Sequence, residues 1–229
     1  MKDFSKLEKK LKITFNNPEL LKQAFVHRSY LNEHPSFALD NNERLEFLGD
    51  AVLELVVTEY LYQNFPNPEG ELTNWRASLV NAVMLNTIAN KFDFNEYLFL
   101  SKGESKDQES KARAFILADA VEAVIGAMYL DTGIKTATKF ITRNILSELK
   151  GILEKKSYID PKSKFQETAQ EKLGITPTYK VLHESGPDHA KKFILGAFLR
   201  KELVAKGEGE SKHEAQVQAA ENALKKKGW

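Results

Sequence analysis

The segment from Phe115 to Leu130 constrains this chain most, because the only ionisable side chains in it before Tyr129 are Asp119 and Glu122. A helix that is apolar nearly all round is a buried one, and residues three apart on it share a face. Two carboxylates therefore enter an interior in which an ionised acid must be paired, neutralised by a raised pKa or bound to a cation. The segment has no Lys, Arg or His to pair with them. It is also too short and too polar to cross a bilayer, which takes about 20 apolar residues.

A second set of acids lies upstream. The helix predicted after Asn41-Asn42 carries Glu43, Glu46, Asp50 and Glu54, spaced so that they form one stripe. The plain reading of such a stripe is a solvated face. Against it, like charges at this spacing repel by a few tenths of a kcal/mol per pair, and no Lys or Arg on the stripe offsets that. If Glu46 and Asp50 face Asp119 and Glu122, the four form an oxygen-donor cluster of the kind that takes Mg²⁺. Such an ion activates water and stabilises charge on a phosphoryl oxygen. The residues alone leave two readings open: metal-dependent hydrolysis, or a chance pairing of buried acids.

At 229 residues and roughly 150 residues per domain, one large and one small domain are expected. The absence of cysteine excludes a disulfide framework and thiolate zinc sites, and fits a reducing compartment. The start, Met1 to Lys6, mixes charges and lacks the apolar stretch of a signal peptide, so a soluble, cytoplasmic protein without membrane attachment is expected. From Asp160 to Trp229 there are 13 Lys and Arg against 10 Asp and Glu, whereas the rest of the chain is slightly acidic. A basic tail of this kind suits a polyanionic partner.

Residues 1–152 read as an all-α domain. Asn17-Pro18 starts one helix, and the helix after Asn42 ends near Phe65-Pro66. Thr73 is expected to cap a helix carrying Trp75, Leu79, Ala82 and Val83. The polar stretch Ser101 to Ala112 is expected to be a loop or mobile element. The apolar segment should stop at Asp131-Thr132-Gly133, and Ile134, Ala137, Ile141, Ile145 and Leu149 mark one last amphipathic helix. Residues 153–160 form a linker. Over 161–229 the pattern is helix, three strands (178–184, 192–199 and 202–206) and an alanine-rich helix (211–227), a small α+β domain of α-β-β-β-α order.

The run Asn42-Glu43-Arg44-Leu45-Glu46-Phe47-Leu48-Gly49-Asp50-Ala51-Val52 resembles the signature of bacterial ribonuclease III. Ile116-Leu117-Ala118-Asp119-Ala120-Val121-Glu122-Ala123 is similar to that family's second acidic motif, and His27-Arg28-Ser29-Tyr30 and Glu69-Gly70-Glu71-Leu72 also fit. The tail is similar to a double-stranded-RNA-binding domain, so the resemblance covers essentially the whole chain.

The resemblance implies a helical, homodimeric endonuclease that hydrolyses both strands of duplex RNA to 5′-phosphate and 3′-hydroxyl ends, in ribosomal and messenger RNA processing. The implied cofactor is Mg²⁺, with Mn²⁺ as a substitute, and no small-molecule cofactor is implied. Carried over by position, Glu46, Asp119 and Glu122 would ligate the ion, and Asp50 with Glu122 would be catalytic. Glu43 and Glu69 match further acidic positions near the cut. Phe47 matches an aromatic that packs into the partner subunit, with an ordinary core phenylalanine as the alternative. His27 is read as ordering a helix end rather than as a general base.

In the tail, Ser163, Gln166, Glu167 and Gln170 match contacts to the shallow minor groove. Pro187 and His189 lie in a loop that would enter the next minor groove, and Ser211 and Lys212 would meet the phosphates between. His213 and Glu214 stand where the family usually carries further basic residues, which should weaken phosphate contact and make it pH-dependent. Lys225-Lys226-Lys227 reads as a solvated helix end favoured by the dipole. The alternative function is a non-cleaving double-stranded-RNA-binding protein, which has no need of four convergent acids.

Overall fold

The structure, a computed structural model, describes residues 2–106, 110–155, 158, 160–187 and 191–229. Its contacts divide the chain into two units, Met1–Tyr158 and Ile159–Trp229. Among the described residues no helix is long and apolar enough to cross a membrane.

The first unit is helical. Its elements are α1 (Phe4–Leu11), α2 (Pro18–Gln23), α3 (Arg28–Glu33), α4 (Glu43–Asn64), α5 (Glu69–Val80), α6 (Ala82–Lys91), α7 (Lys102–Lys106), α8 (Lys111–Thr132), α9 (Ile134–Asn144) and α10 (Leu149–Lys155). The ends follow local chemistry. Asn17 accepts from the Glu19 backbone N–H while Pro18 occupies the first helical position of α2. Ser110 caps α8 through the Arg113 N–H, and Gly133, at φ 82°, ends it. The apolar helix α8 is the centre of the unit, packed against α4, α6 and α9, with Ala120, Val121, Ala123, Val124, Ile125, Ala127 and Met128 fully buried.

Four local expectations change. The polar stretch after Leu100 is not a loop throughout: Ser101 Oγ accepts from the Glu104 N–H and α7 forms, while Lys111 and Ala112 already belong to α8. Thr73 does not start α5. That helix begins at Glu69 behind Pro68, and Thr73 Oγ1 donates to Glu69 Oε1 at 3.0 Å. Trp75 and Val83 do not share a helix either, because Asn81 adopts an extended conformation and caps α6 through the Met84 N–H, leaving Val83 exposed. The last amphipathic helix is split by a 3₁₀ turn at Leu146–Glu148 into α9 and α10, an interruption that an apolar spacing does not register.

The second unit has α11 (Pro161–Leu173), strands β1 (Thr178–Ser185), β2 (Lys192–Leu199) and β3 (Glu202–Gly209), and α12 (Lys212–Lys227). The strands form one antiparallel sheet in the order β1-β2-β3, with a tight turn between β2 and β3 in which Arg200 has φ 56°. β3 runs three residues past the expected Lys206, and β1 one past Glu184. Phe165, Ala197, Val204 and the fully buried Ala215, Ala219, Ala220 and Ala223 make the core. The small side chains let α12 lie close on β2 and β3.

Candidate active site

What brings the two acidic motifs together is the crossing of α4 and α8. Gly49 and Gly126 meet the opposite helix with no side chain between: a Cβ on Gly49 would overlap the Glu122 carbonyl oxygen, and one on Gly126 the Leu45 carbonyl oxygen. The two backbones therefore approach more closely than any other residue pair here would allow. Gly49 immediately precedes Asp50, and its contact is the Glu122 backbone, so the same notch that sets the spacing sets acid against acid.

The electrostatics record this juxtaposition. Burial pushes the Glu122 carboxyl up to about 8, with Asp50, Asp119, Glu46 and Glu54 adding to the shift. Burial also raises Glu46, reinforced by Asp119, Glu43 and Asp50, and raises Asp119. Among the described residues no Lys, Arg or His forms an ion pair with Glu46, Asp50, Asp119 or Glu122. The four are neighbours rather than a converged cage: among the described residues, no three acidic or histidine side chains stand ready to hold a metal ion. Their chemistry fits a hard divalent cation all the same. The donors are all carboxylate oxygens, and their mutual repulsion and partial desolvation are what a bound dication would offset.

The remaining acids stand at the edges. Glu43, exposed, begins α4 and pairs with Arg28 at 3.3 Å. Glu69 begins α5, is held by Thr73, and does not figure among the groups that perturb the four. His27 caps α3: its Nδ1 accepts from the Ser29 N–H and lies 2.8 Å from Ser29 Oγ, which itself accepts from the Ser101 N–H. Those bonds tie α3 to the start of α7, and burial lowers the imidazole pKa. Phe47 is 81% exposed and so is no core residue. Leu55, Leu130 and Ile134 are exposed too, and with Leu48, Ala51 and Tyr129 they line a groove of about 700 Å³ over α4, α8 and the start of α9.

Sequence reasoning missed two arginines at this site. Arg28 on α3 and Arg76 on α5 pair with Glu43 and Glu54, the ends of the acidic stripe. Nothing in local spacing signals contacts between residues 15 and 22 apart in different helices.

In the second unit Ser163, Gln166, Glu167 and Gln170 are exposed along α11. Ser163 is partly committed, its hydroxyl donating to Asp160 Oδ2 at 2.9 Å within the helix cap. Pro187 is exposed after β1, and His189 lies outside the described residues. Ser211 caps α12 through the Glu214 N–H, and Lys212 Nζ stands 3.4 Å from Glu184 Oε1 and over the Phe193 ring.

Comparison with known proteins agrees with this arrangement. A family model described as Ribonuclease-III-like matches residues 17–149, and one for the double-stranded RNA binding motif matches 161–227. The chain is 45% identical over 219 residues to ribonuclease 3 of Carboxydothermus hydrogenoformans, covering 95% of this chain and 93% of that protein. It is 43% identical over 227 residues to ribonuclease 3 of Nitratiruptor sp., covering 98% and 97%. The solved nuclease domain of ribonuclease III from Campylobacter jejuni superimposes with a TM-score of 0.57 at 40% identity, covering 65% of this chain and 97% of that one. A helical nuclease unit with two facing acidic motifs, followed by a duplex-RNA-binding unit, places the chain in the ribonuclease III family of double-stranded-RNA endoribonucleases.

Proposed function

We propose that the row of carboxylates where α4 crosses α8 is the cutting site, and that it works with Mg²⁺, Mn²⁺ substituting. The observation that carries this reading is the cluster itself: four acids in mutual electrostatic contact, with no basic partner in ion-pair reach among the described residues. Glu46, Asp119 and Glu122 would hold the ion. When bound, the ion supplies an activated water and neutralises charge on the phosphoryl oxygens. Asp50 stands beside Glu122 to orient the attacking water and manage its proton, and ionisation of Glu122 is required before it can ligate a cation. Glu43 and Glu69 flank the site as accessory acids. The products are a 5′-phosphate and a 3′-hydroxyl.

Residues 1–152 would cut, 161–229 would grip the duplex, and 153–160 would join them. Gln166, Glu167 and Gln170 with Ser163 face the minor groove, the loop with Pro187 and His189 takes the next one, and Ser211 and Lys212 meet phosphates between. A symmetric homodimer places Phe47 of each copy against the apolar groove of the other, covering the exposed surface on both. One of the solved C. jejuni nuclease-domain structures is described by its region of dimer formation, which supports this assembly. The physiological role follows the family: processing of ribosomal RNA precursors and structured messenger RNA in the cytoplasm.

The test is Glu122→Gln. Cleavage of duplex RNA should be abolished while duplex binding persists, and full activity in that variant would overturn the assignment. Binding of duplex RNA without cleavage by the unaltered protein would favour a non-cleaving binder.

A further inference from the structure

A polyanion brought to a row of carboxylates is repelled unless cations flank the row. Among the described residues two basic side chains pair with it, one at each end. Arg28 Nη1 lies 3.3 Å from Glu43 Oε1, and Arg76 Nη1 lies 3.8 Å from Glu54 Oε2. Glu43 and Glu54 are separated by three turns of α4, about 16 Å along its axis, and point the same way. The inner acids Glu46 and Asp50, with Asp119 and Glu122 across the notch, lie between them.

The Arg28–Glu43 pair is not explained as a stability device, and the Arg76–Glu54 contact, with side chains 32% and 44% exposed, is long at 3.8 Å. The Arg28 and Glu43 side chains are 70% and 50% exposed, and ion pairs of that kind contribute little to a fold. A guanidinium held by one long contact of this kind can exchange its carboxylate for a phosphate, which its planar fork binds through two parallel N–H donors. Arg76 is also aimed: its Nη1 donates to Thr58 Oγ1 at 3.1 Å. It lines a cleft of about 430 Å³ between α4 and α5, whose walls are Leu61, Tyr62 and Leu72 together with Thr58, Asn67, Thr73 and the Glu69 carboxylate. A guanidinium in a cleft with both apolar and hydrogen-bonding walls suits a nucleotide, with the phosphate on the cation, the base against Leu61, Tyr62 and Leu72, and the sugar hydroxyls within reach of acceptors such as Glu69.

We propose that Arg28 and Arg76 grip backbone phosphates of the cut strand on either side of the carboxylate row, and that the cleft beside Arg76 takes the attached nucleotide. This rests on the reading of the row as the cutting site. Glu43 and Glu54 then hold the two guanidiniums in place until RNA arrives.

The experiment is steady-state cleavage of a short duplex RNA in Mg²⁺ at several salt concentrations, with the full chain and the variants Arg28→Gln, Arg76→Gln, Arg76→Lys and Glu122→Gln. Each Gln variant should raise KM about tenfold, as expected for loss of a charged hydrogen bond, with kcat within about threefold. Each should also make the dependence of log(kcat/KM) on log[salt] shallower by about one, the signature of one lost phosphate contact. Arg76→Lys, which keeps the charge, should retain the slope. An unchanged salt slope in both Gln variants, whatever happens to kcat, would overturn the proposal and leave the arginines as supports for Glu43 and Glu54. Glu122→Gln isolates the underlying reading: cleavage at the unaltered rate there would remove the row as the cutting site, and the proposal with it.

Discussion

Glu122 carries two opposed requirements. Packing α8 against α4 desolvates it, and the neighbouring acids raise it further, so that its carboxyl titrates near 8 rather than near the ordinary 4.5. A carboxyl whose folded pKa is raised favours the fold while protonated. That contribution is complete below about pH 4.5 and is lost as pH climbs towards about 8. In the absence of divalent ions, the urea midpoint should therefore fall between about pH 5 and about pH 8, and Glu122→Gln should flatten that fall; parallel profiles would contradict the account. Asp119 and Glu122 were legible in the sequence because an acid in an apolar helix demands an explanation. Arg28 and Arg76 were not, because their importance arises from ion pairs between helices, which no local spacing encodes.

At the scale of elements, the site depends on a close crossing. Gly49 and Gly126 give the two helices a shared notch, and any side chain there must push them apart. Gly126→Ala should destabilise the protein by about 2 kcal/mol in urea unfolding, in the range of overpacked cores, and should reduce cleavage more than it reduces duplex binding. Unchanged stability would mean that the helices part at no cost. The helical elements themselves were largely readable, since caps such as Asn17 and Ser211 and the glycine after Thr132 are local signals. The break at Asn81, the 3₁₀ turn at Leu146–Glu148 and the early start of α5 were not. Each is decided by how neighbouring helices pack, which overrides the continuous apolar spacing of the sequence.

For the whole molecule, the exposed ring of Phe47 and the groove beside Leu55, Leu130 and Ile134 leave an apolar surface that a second copy would cover. Phe47→Ala should weaken self-association by about 2 kcal/mol, roughly thirtyfold in the dimer Kd by analytical ultracentrifugation. A protein that is monomeric at all concentrations before mutation would refute this. In the RNA-binding unit, Lys212 is held by Glu184 but remains exposed. Lys212→Ala should weaken binding of long duplex RNA and reduce its salt slope by about one, whereas an unchanged slope would remove Lys212 from the phosphate contacts. The order of strands and helices in this unit was legible from alternation and turn residues, but the ion pair of Lys212 with Glu184 appears only once β1 and α12 are folded together.

The function turns on whether the crossing of α4 and α8 cuts duplex RNA with a divalent ion. The direct measurement incubates the purified protein with long duplex RNA, duplex DNA and single-stranded RNA, in Mg²⁺, in Mn²⁺ and with chelator, and maps the ends produced. Metal-dependent cleavage of duplex RNA alone is expected, on both strands, leaving 5′-phosphates and 3′-hydroxyls. Binding of duplex RNA without cleavage in either metal would contradict it.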